Sequence, residues 1–95
     1  MNNHEFPKFS LGQRVATPGA LAALAESGQT AEFFLVKHHR GDWGEVDAED
    51  RQLNDQALRD SSRLLSAYTT SRGRKLWVIT EADRSVTTIL LPEEY

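Results

Sequence analysis

Hydrophobic positions change their period along the chain, and the changes divide it into elements. Residues 2–10 hold Phe6 and Phe9 around Pro7 in a polar setting with no period, so residues 1–10 read as an N-terminal arm ahead of a single domain over 11–95. Leu11 to Ala16 alternates weakly and stops against Thr17-Pro18, where the residue before proline prefers an extended backbone. A short strand of edge type is expected there. Thr17 and Pro18 also start a helix, since the hydroxyl can accept from an orphan amide and proline costs nothing at the first helical position. That helix runs to Gly28 with Leu21, Leu24 and Ala25 as its buried stripe. Thr30 opens a second helix, with Glu32 in its first turn and Lys37, His38, His39 and Arg40 in its last turn before Gly41. Asp47 caps a third, whose Leu53, Ala57 and Leu58 face inward and which ends near Ser61.

Beyond Arg63 the period falls from 3.6 to 2, and β-branched and aromatic residues take over. Strands are expected over 64–70, 75–80 and 86–91, joined by Ser71–Arg74 and Glu81–Ser85, which have hairpin lengths. Leu76, Val78 and Thr80 alternate with Trp77 and Ile79, so one face of the middle strand meets the helices and the other is partly open. The pattern predicts an α+β domain of order β-α-α-α-β-β-β, an antiparallel meander sheet covered on one face by helices. Its expected core is Leu21, Leu24, Phe33, Val36, Leu53, Leu58, Leu65, Leu76, Val78, Ile89 and Leu91.

At 95 residues the chain makes one domain, and 39% hydrophobic with 26% charged residues is the composition of an ordinary folded one. With no cysteine there is no disulfide, thiolate ligand or thiol nucleophile, which fits a reducing, cytoplasmic setting. No apolar run approaches a membrane span, and the first residues lack the basic start and apolar stretch of a signal peptide, so no membrane association is expected.

Candidate chemistry is sparse. His38 and His39 are adjacent, so on a helix they point about 100° apart and do not converge on one metal ion. They read instead as complements to the helix dipole, and His4 stands alone in the arm. No serine elbow, phosphate loop or dinucleotide fingerprint occurs, and Glu81 with Asp83 lacks the lysine that a nuclease site would add. No enzymatic activity, cofactor or metal is expected.

Charge is segregated. Gly41 to Asp60 holds seven acids, Asp42, Glu45, Asp47, Glu49, Asp50, Asp55 and Asp60, against two arginines, a local balance of −5. Ser61 to Val78 carries Arg63, Arg72, Arg74 and Lys75 and no acid. The plain reading is a solvated acidic helix and a hairpin tip whose cations discourage edge pairing. The functional reading is an acidic face made of Asp42, Trp43, Glu45, Asp47, Glu49, Asp50 and Asp55 that docks on a basic protein surface. Trp43, in a Gly-Asp-Trp-Gly turn, is either a lid over the core or an interface anchor. As an alternative, Arg72, Arg74 and Lys75 at the hairpin tip could contact nucleic acid, with Tyr68 and Trp77 on the flanking strands. The chain is expected to be a monomer or a homodimer, and a bare second sheet face would predict homodimerisation through it.

The runs Gly41-Asp42-Trp43-Gly44, Leu64-Leu65-Ser66-Ala67-Tyr68, Trp77 to Ser85 and Thr87 to Tyr95 resemble a family of small bacterial proteins carried on plasmids and integrated mobile elements. Members are labelled plasmid-related or, by transfer, as a restriction-system subunit. The resemblance spans roughly Leu11 to Tyr95. It implies an accessory protein of a mobile element that acts by binding, as in the inhibition of a host defence system.

Overall fold

Three short polar side chains start three helices. Thr17 Oγ1 accepts from the Ala20 amide at 3.2 Å at the head of α1 (Pro18–Ser27). Thr30 Oγ1 accepts from Phe33 at 3.2 Å at the head of α2 (Ala31–His39), and Asp47 Oδ1 from Asp50 at 2.8 Å at the head of α3 (Ala48–Asp60). Each satisfies an amide that has no partner within its own helix. The computed structural model describes residues 7–95, so the expectations attached to His4 and Phe6 lie outside the described residues.

Four strands form within two residues of the expected boundaries: β1 (Gln13–Ala16), β2 (Leu64–Thr69), β3 (Lys75–Thr80) and β4 (Val86–Leu90). They form one sheet in the order β1-β4-β3-β2. The meander of β2, β3 and β4 is antiparallel, while β1 joins the edge of β4 in parallel. The sheet is therefore mixed rather than wholly antiparallel. Three helices separate β1 from the meander, a connection long enough for the crossover that a parallel pair needs.

Leu64, Ser66 and Tyr68 share a face with Leu76, Val78 and Thr80 and with Thr87 and Ile89, all of them buried. The helices cover this face: Phe34 of α2 lies against Tyr68, and His38 bonds to Ser66 and Thr80. The second face is not bare. Ile79 and Leu90 are buried there, Tyr95 packs edge-on against Trp77 at 5.8 Å, and Arg63 lies over the Tyr95 ring. Beyond β4 a 3-10 turn (Pro92–Glu94) returns to α1. Glu94 accepts from the Thr17 hydroxyl and from the amides of Gly19 and Leu91, which places its charge at the positive end of α1. The Thr17 hydroxyl, more than any other contact, holds the Glu94 carboxyl below its usual range.

Four residues expected in the core are exposed: Leu21, Phe33, Val36 and Leu53. Leu24, Leu76, Val78, Ile89 and Leu91 are buried as expected, with Leu58 and Leu65 half-buried. The exposed residues show how each helix is turned. α1 buries Ala20 and Ala23 beside Leu24, and small side chains let a helix approach a sheet closely. α2 contains the run Phe33-Phe34-Leu35-Val36, which offers apolar residues on more than one side, and it turns Phe34, Leu35 and His38 inward. α3 buries Asn54 and Ala57 in place of Leu53.

Asn54 explains the rotation of α3. Its Nδ2 donates to the Leu65 carbonyl at 2.7 Å and its Oδ1 accepts from the Leu65 amide at 3.1 Å, so one side-chain amide pairs with β2 as a neighbouring strand would. Two residues on, Trp43 O accepts from Ala67 N at 3.1 Å and Glu45 N donates to Ala67 O at 2.7 Å. The outer edge of β2 is sealed by these two devices.

Arg84 gathers the other end of α3. Its guanidinium donates to the carbonyls of Ala57, Ser62, Glu81 and Ala82 at 2.6–3.2 Å and lies 5.8 Å from the Phe9 ring centroid. Arg84→Ala is expected to lower stability by about 2–3 kcal/mol, the range for charged hydrogen bonds at a half-buried site. Arg84→Lys restores only part of it, because an ammonium cannot span the same carbonyls. Urea denaturation of the three proteins measures both effects.

Candidate functional site

The two histidines at the end of α2 do different things. His38 is fully buried. Its Nδ1 lies 2.6 Å from Ser66 Oγ and its Nε2 2.9 Å from Thr80 Oγ1, while Thr80 Oγ1 is 2.7 Å from Thr87 Oγ1 and Thr87 donates to the Leu11 carbonyl at 2.7 Å. The protons follow by elimination. Thr87 gives its only hydrogen to Leu11, so Thr80 donates to Thr87, His38 Nε2 donates to Thr80, and Ser66 donates to Nδ1. Burial, followed by the charges of His39 and Arg84, lowers His38 from the ordinary 6.5 to about 3, so the ring is neutral. The expectation that His38 complements a helix dipole is thus corrected, because a neutral buried ring cannot do so. The Ser66–His38 pair has the reach of a nucleophile and its base, but both residues are 0% exposed and a substrate has no route to them.

His39 instead holds the arm. Its Nε2 donates to the Phe9 carbonyl at 2.7 Å, the Lys8 amide donates to the His39 carbonyl at 3.0 Å, and the Phe9 ring packs edge-on to His38 and stacks on Trp43.

Trp43 is corrected as an interface anchor. It is 4% exposed, sits in a second apolar cluster with Val46, Ala57, Leu64 and Ala67, and donates Nε1–H to Asp55 Oδ1 at 3.1 Å. It is the lid over the core. The six acids expected to share its face are divided among different tasks. Asp55 receives the indole, Asp47 caps α3, and Glu49 and Asp50 stand in the first turn of α3, where the dipole favours them. Asp42 and Glu45 lie apart from these, beside α2. At the hairpin tip Arg74 is 4.0 Å from Glu26 and 3.8 Å from Glu93, and Lys75 is 2.9 Å from Glu45. Two of the three cations available to a nucleic acid thus already face carboxylates, and Tyr68 is buried, where desolvation raises its hydroxyl pKa. Asp83 accepts from the Ser85 amide and hydroxyl and serves the β3–β4 turn.

What the structure does expose is the outer side of α2. Phe33 is 50% and Val36 38% exposed, three residues apart on one face, with Lys37 and Arg40 completing the stripe. Phe33 stands between two clefts. One, of about 350 Å³, opens between α2 and the 42–45 segment and is lined by Phe33, Phe34, Lys37, Asp42, Glu45 and Tyr68 among others. The second, of about 410 Å³, is lined by Thr30, Glu32, Phe33, Val36, Lys37 and Arg40. In the first, Lys37 Nζ lies 5.3 Å from the Phe33 ring centroid and 3.9 Å from Asp42 Oδ2. Glu45 accepts from Lys75 at 2.9 Å and Thr69 at 2.8 Å, and these bonds, Lys75 first, hold its carboxyl below the usual range. The Tyr68 hydroxyl donates to the Asp42 carbonyl and fixes the loop that carries both carboxylates.

Sequence periodicity missed this surface because it placed Phe33 and Val36 inside. The available signal was the four-residue apolar run itself, since a helix with apolar residues on more than one side leaves some of them outside. Among the described residues no group of three His, Asp or Glu side chains is arranged to hold a metal ion, and no helix is long and apolar enough to cross a membrane. The chain matches no family model, no curated protein and no solved structure.

Proposed function

We propose that this protein is a non-enzymatic binding module whose contact surface is the outer face of α2 together with Asp42 and Glu45. The carrying observation is the exposure of Phe33 and Val36 side by side between two clefts. An aromatic held open to water on a rigid helix gives up no packing in the fold and gains it on docking, which is the behaviour of an interface anchor. Part of the acidic segment takes part: Asp42 and Glu45 border the anchor, while Glu49 and Asp50 at the head of α3 contribute only a long-range field to a basic-surfaced partner. In the setting that the family resemblance implies, such a module serves a mobile element as an accessory, and its partner is a host protein such as a component of a defence system.

The test pairs capture with reconstitution. A protein retained from bacterial lysate by the tagged chain is identified, purified and titrated against wild type, against Phe33→Ser with Val36→Ser, and against Glu49→Lys with Asp50→Lys. Loss of the complex in the first variant and a modest salt-dependent weakening in the second are expected. Binding unchanged by the α2 pair and abolished by the α3 pair would move the contact to α3 and overturn this assignment. Trp43 is unsuitable as a probe, because its substitution opens the core.

A further inference from the structure

Resting on the α2 contact surface proposed above, we infer that the cleft between α2 and the 42–45 segment receives a lysine or arginine side chain of the partner protein, and that Lys37 stands in that position in the free chain. An ammonium in water is recognised by an aromatic face and a carboxylate, and both are built here: the Phe33 ring 5.3 Å from Lys37 Nζ and Asp42 Oδ2 3.9 Å from it. Lys37 is tied down loosely. Its contact with Asp42 is a long, half-exposed ion pair, a kind that contributes little to stability, so the side chain is free to swing out into water.

With Lys37 swung out, the charges lining the cleft are Asp42 and Glu45; Glu45 keeps its pairing with Lys75 at 2.9 Å, so Asp42 is the carboxylate left open to a cation. The cleft then complements a cation, whereas an anion would meet the Asp42 carboxylate. Phe34 and Tyr68 supply apolar surface deeper in the cleft, on which the methylene stem of a long basic side chain can lie while its head stays at the rim. The cleft volume of about 350 Å³ admits one such side chain and leaves the partner's backbone outside, across Val36.

The sign of one substitution separates this from a general apolar contact. The probe is a short uncharged peptide carrying one central lysine, compared with the same peptide carrying norleucine, which keeps the stem and removes the charge. Titration is followed by the amide NMR shifts of Phe33, Asp42 and Glu45. Lys37→Ala is expected to bind the lysine peptide about two- to fivefold more tightly than wild type, the worth of an exposed cation–aromatic contact freed from its internal competitor. Phe33→Ala and Asp42→Asn are each expected to weaken it by a similar factor. Lys37 and Phe33 are both at least partly exposed, so these variants fold, and circular dichroism checks that they do. Equal binding of the norleucine peptide, or unchanged or weaker binding in Lys37→Ala, overturns the cation assignment. It leaves the α2 surface standing if Phe33→Ser with Val36→Ser still abolishes the reconstituted complex. Absence of shifts from either peptide at millimolar concentration overturns it as well.

Discussion

His38→Ala is expected to destabilise the protein by about 3–5 kcal/mol, through the cavity it leaves and through the Ser66 and Thr80 hydroxyls it strands. The loss should appear as a fall in the urea midpoint with little change in slope, because the exposed surface of the native state is unaltered. The same residue sets a pH dependence. Its pKa falls from the ordinary 6.5 to about 3 on folding, so between those values the unfolded chain binds a proton that the folded chain refuses. Its contribution is full above pH 6.5 and declines as pH falls toward 3, by about 1.4 kcal/mol between pH 7.5 and 5.5. Glu45, Asp83 and Glu94 have lowered carboxyl pKa values and contribute their own loss, but only as pH drops through the carboxylate range. Denaturation at pH 7.5, 6.5 and 5.5 therefore separates the His38 effect from that of these carboxylates. A His38→Gln protein that keeps the full slope would show that His38 is not its source.

The second large effect is expected at Gly44. Its φ is +75°, and a Cβ there would sit 2.1 Å from the Ala67 carbonyl oxygen and 2.7 Å from the Tyr68 ring. Backbone and a buried ring cannot both move aside, so Gly44→Ala is expected to cost about 3 kcal/mol from left-handed strain and steric overlap together. Gly28 provides the control. It has φ +73° and nothing within 4 Å of the added carbon, so Gly28→Ala should show the backbone strain alone, about 1 kcal/mol. Similar losses in the two variants would mean that the 43–45 segment is not pressed against β2. Because that segment seals the edge of β2, Gly44→Ala is also expected to raise light scattering on mild heating, and Gly28→Ala is not.

These residues show where the sequence speaks and where it is silent. Helix starts were legible at Thr17, Thr30 and Asp47 because a cap bonds to an amide three residues away. The meander was legible because alternation and hairpin loops are local too. The faces of the helices were not, because they are chosen by partners far along the chain. His38 turns inward to meet Ser66 and Thr80, 28 and 42 residues away. Asn54 turns inward because a strand edge 11 residues away has an amide and a carbonyl to satisfy. Two polar residues thus displaced Val36 and Leu53 from the interior, an outcome that a count of hydrophobic positions inverts. The proposed contact surface was half legible. Asp42 and Glu45 stood in the acidic segment, whereas Phe33 and Val36 were hidden by the same inversion.

The parallel pairing of β1 with β4 bears on the order in which the molecule assembles. The meander closes loops of only a few residues, but β1 reaches its place across nearly the whole chain, and Thr87 meets the Leu11 carbonyl across a separation of 76 residues. Closing so long a loop costs the most chain entropy, and it is offset only when helices and sheet are already in place. β1 is therefore expected to be the last strand to join. Its departure would strip a partner from the buried chain of hydroxyls that runs through Thr80 to His38, so the two ends of the sequence and the centre of the core come apart as one cooperative unit.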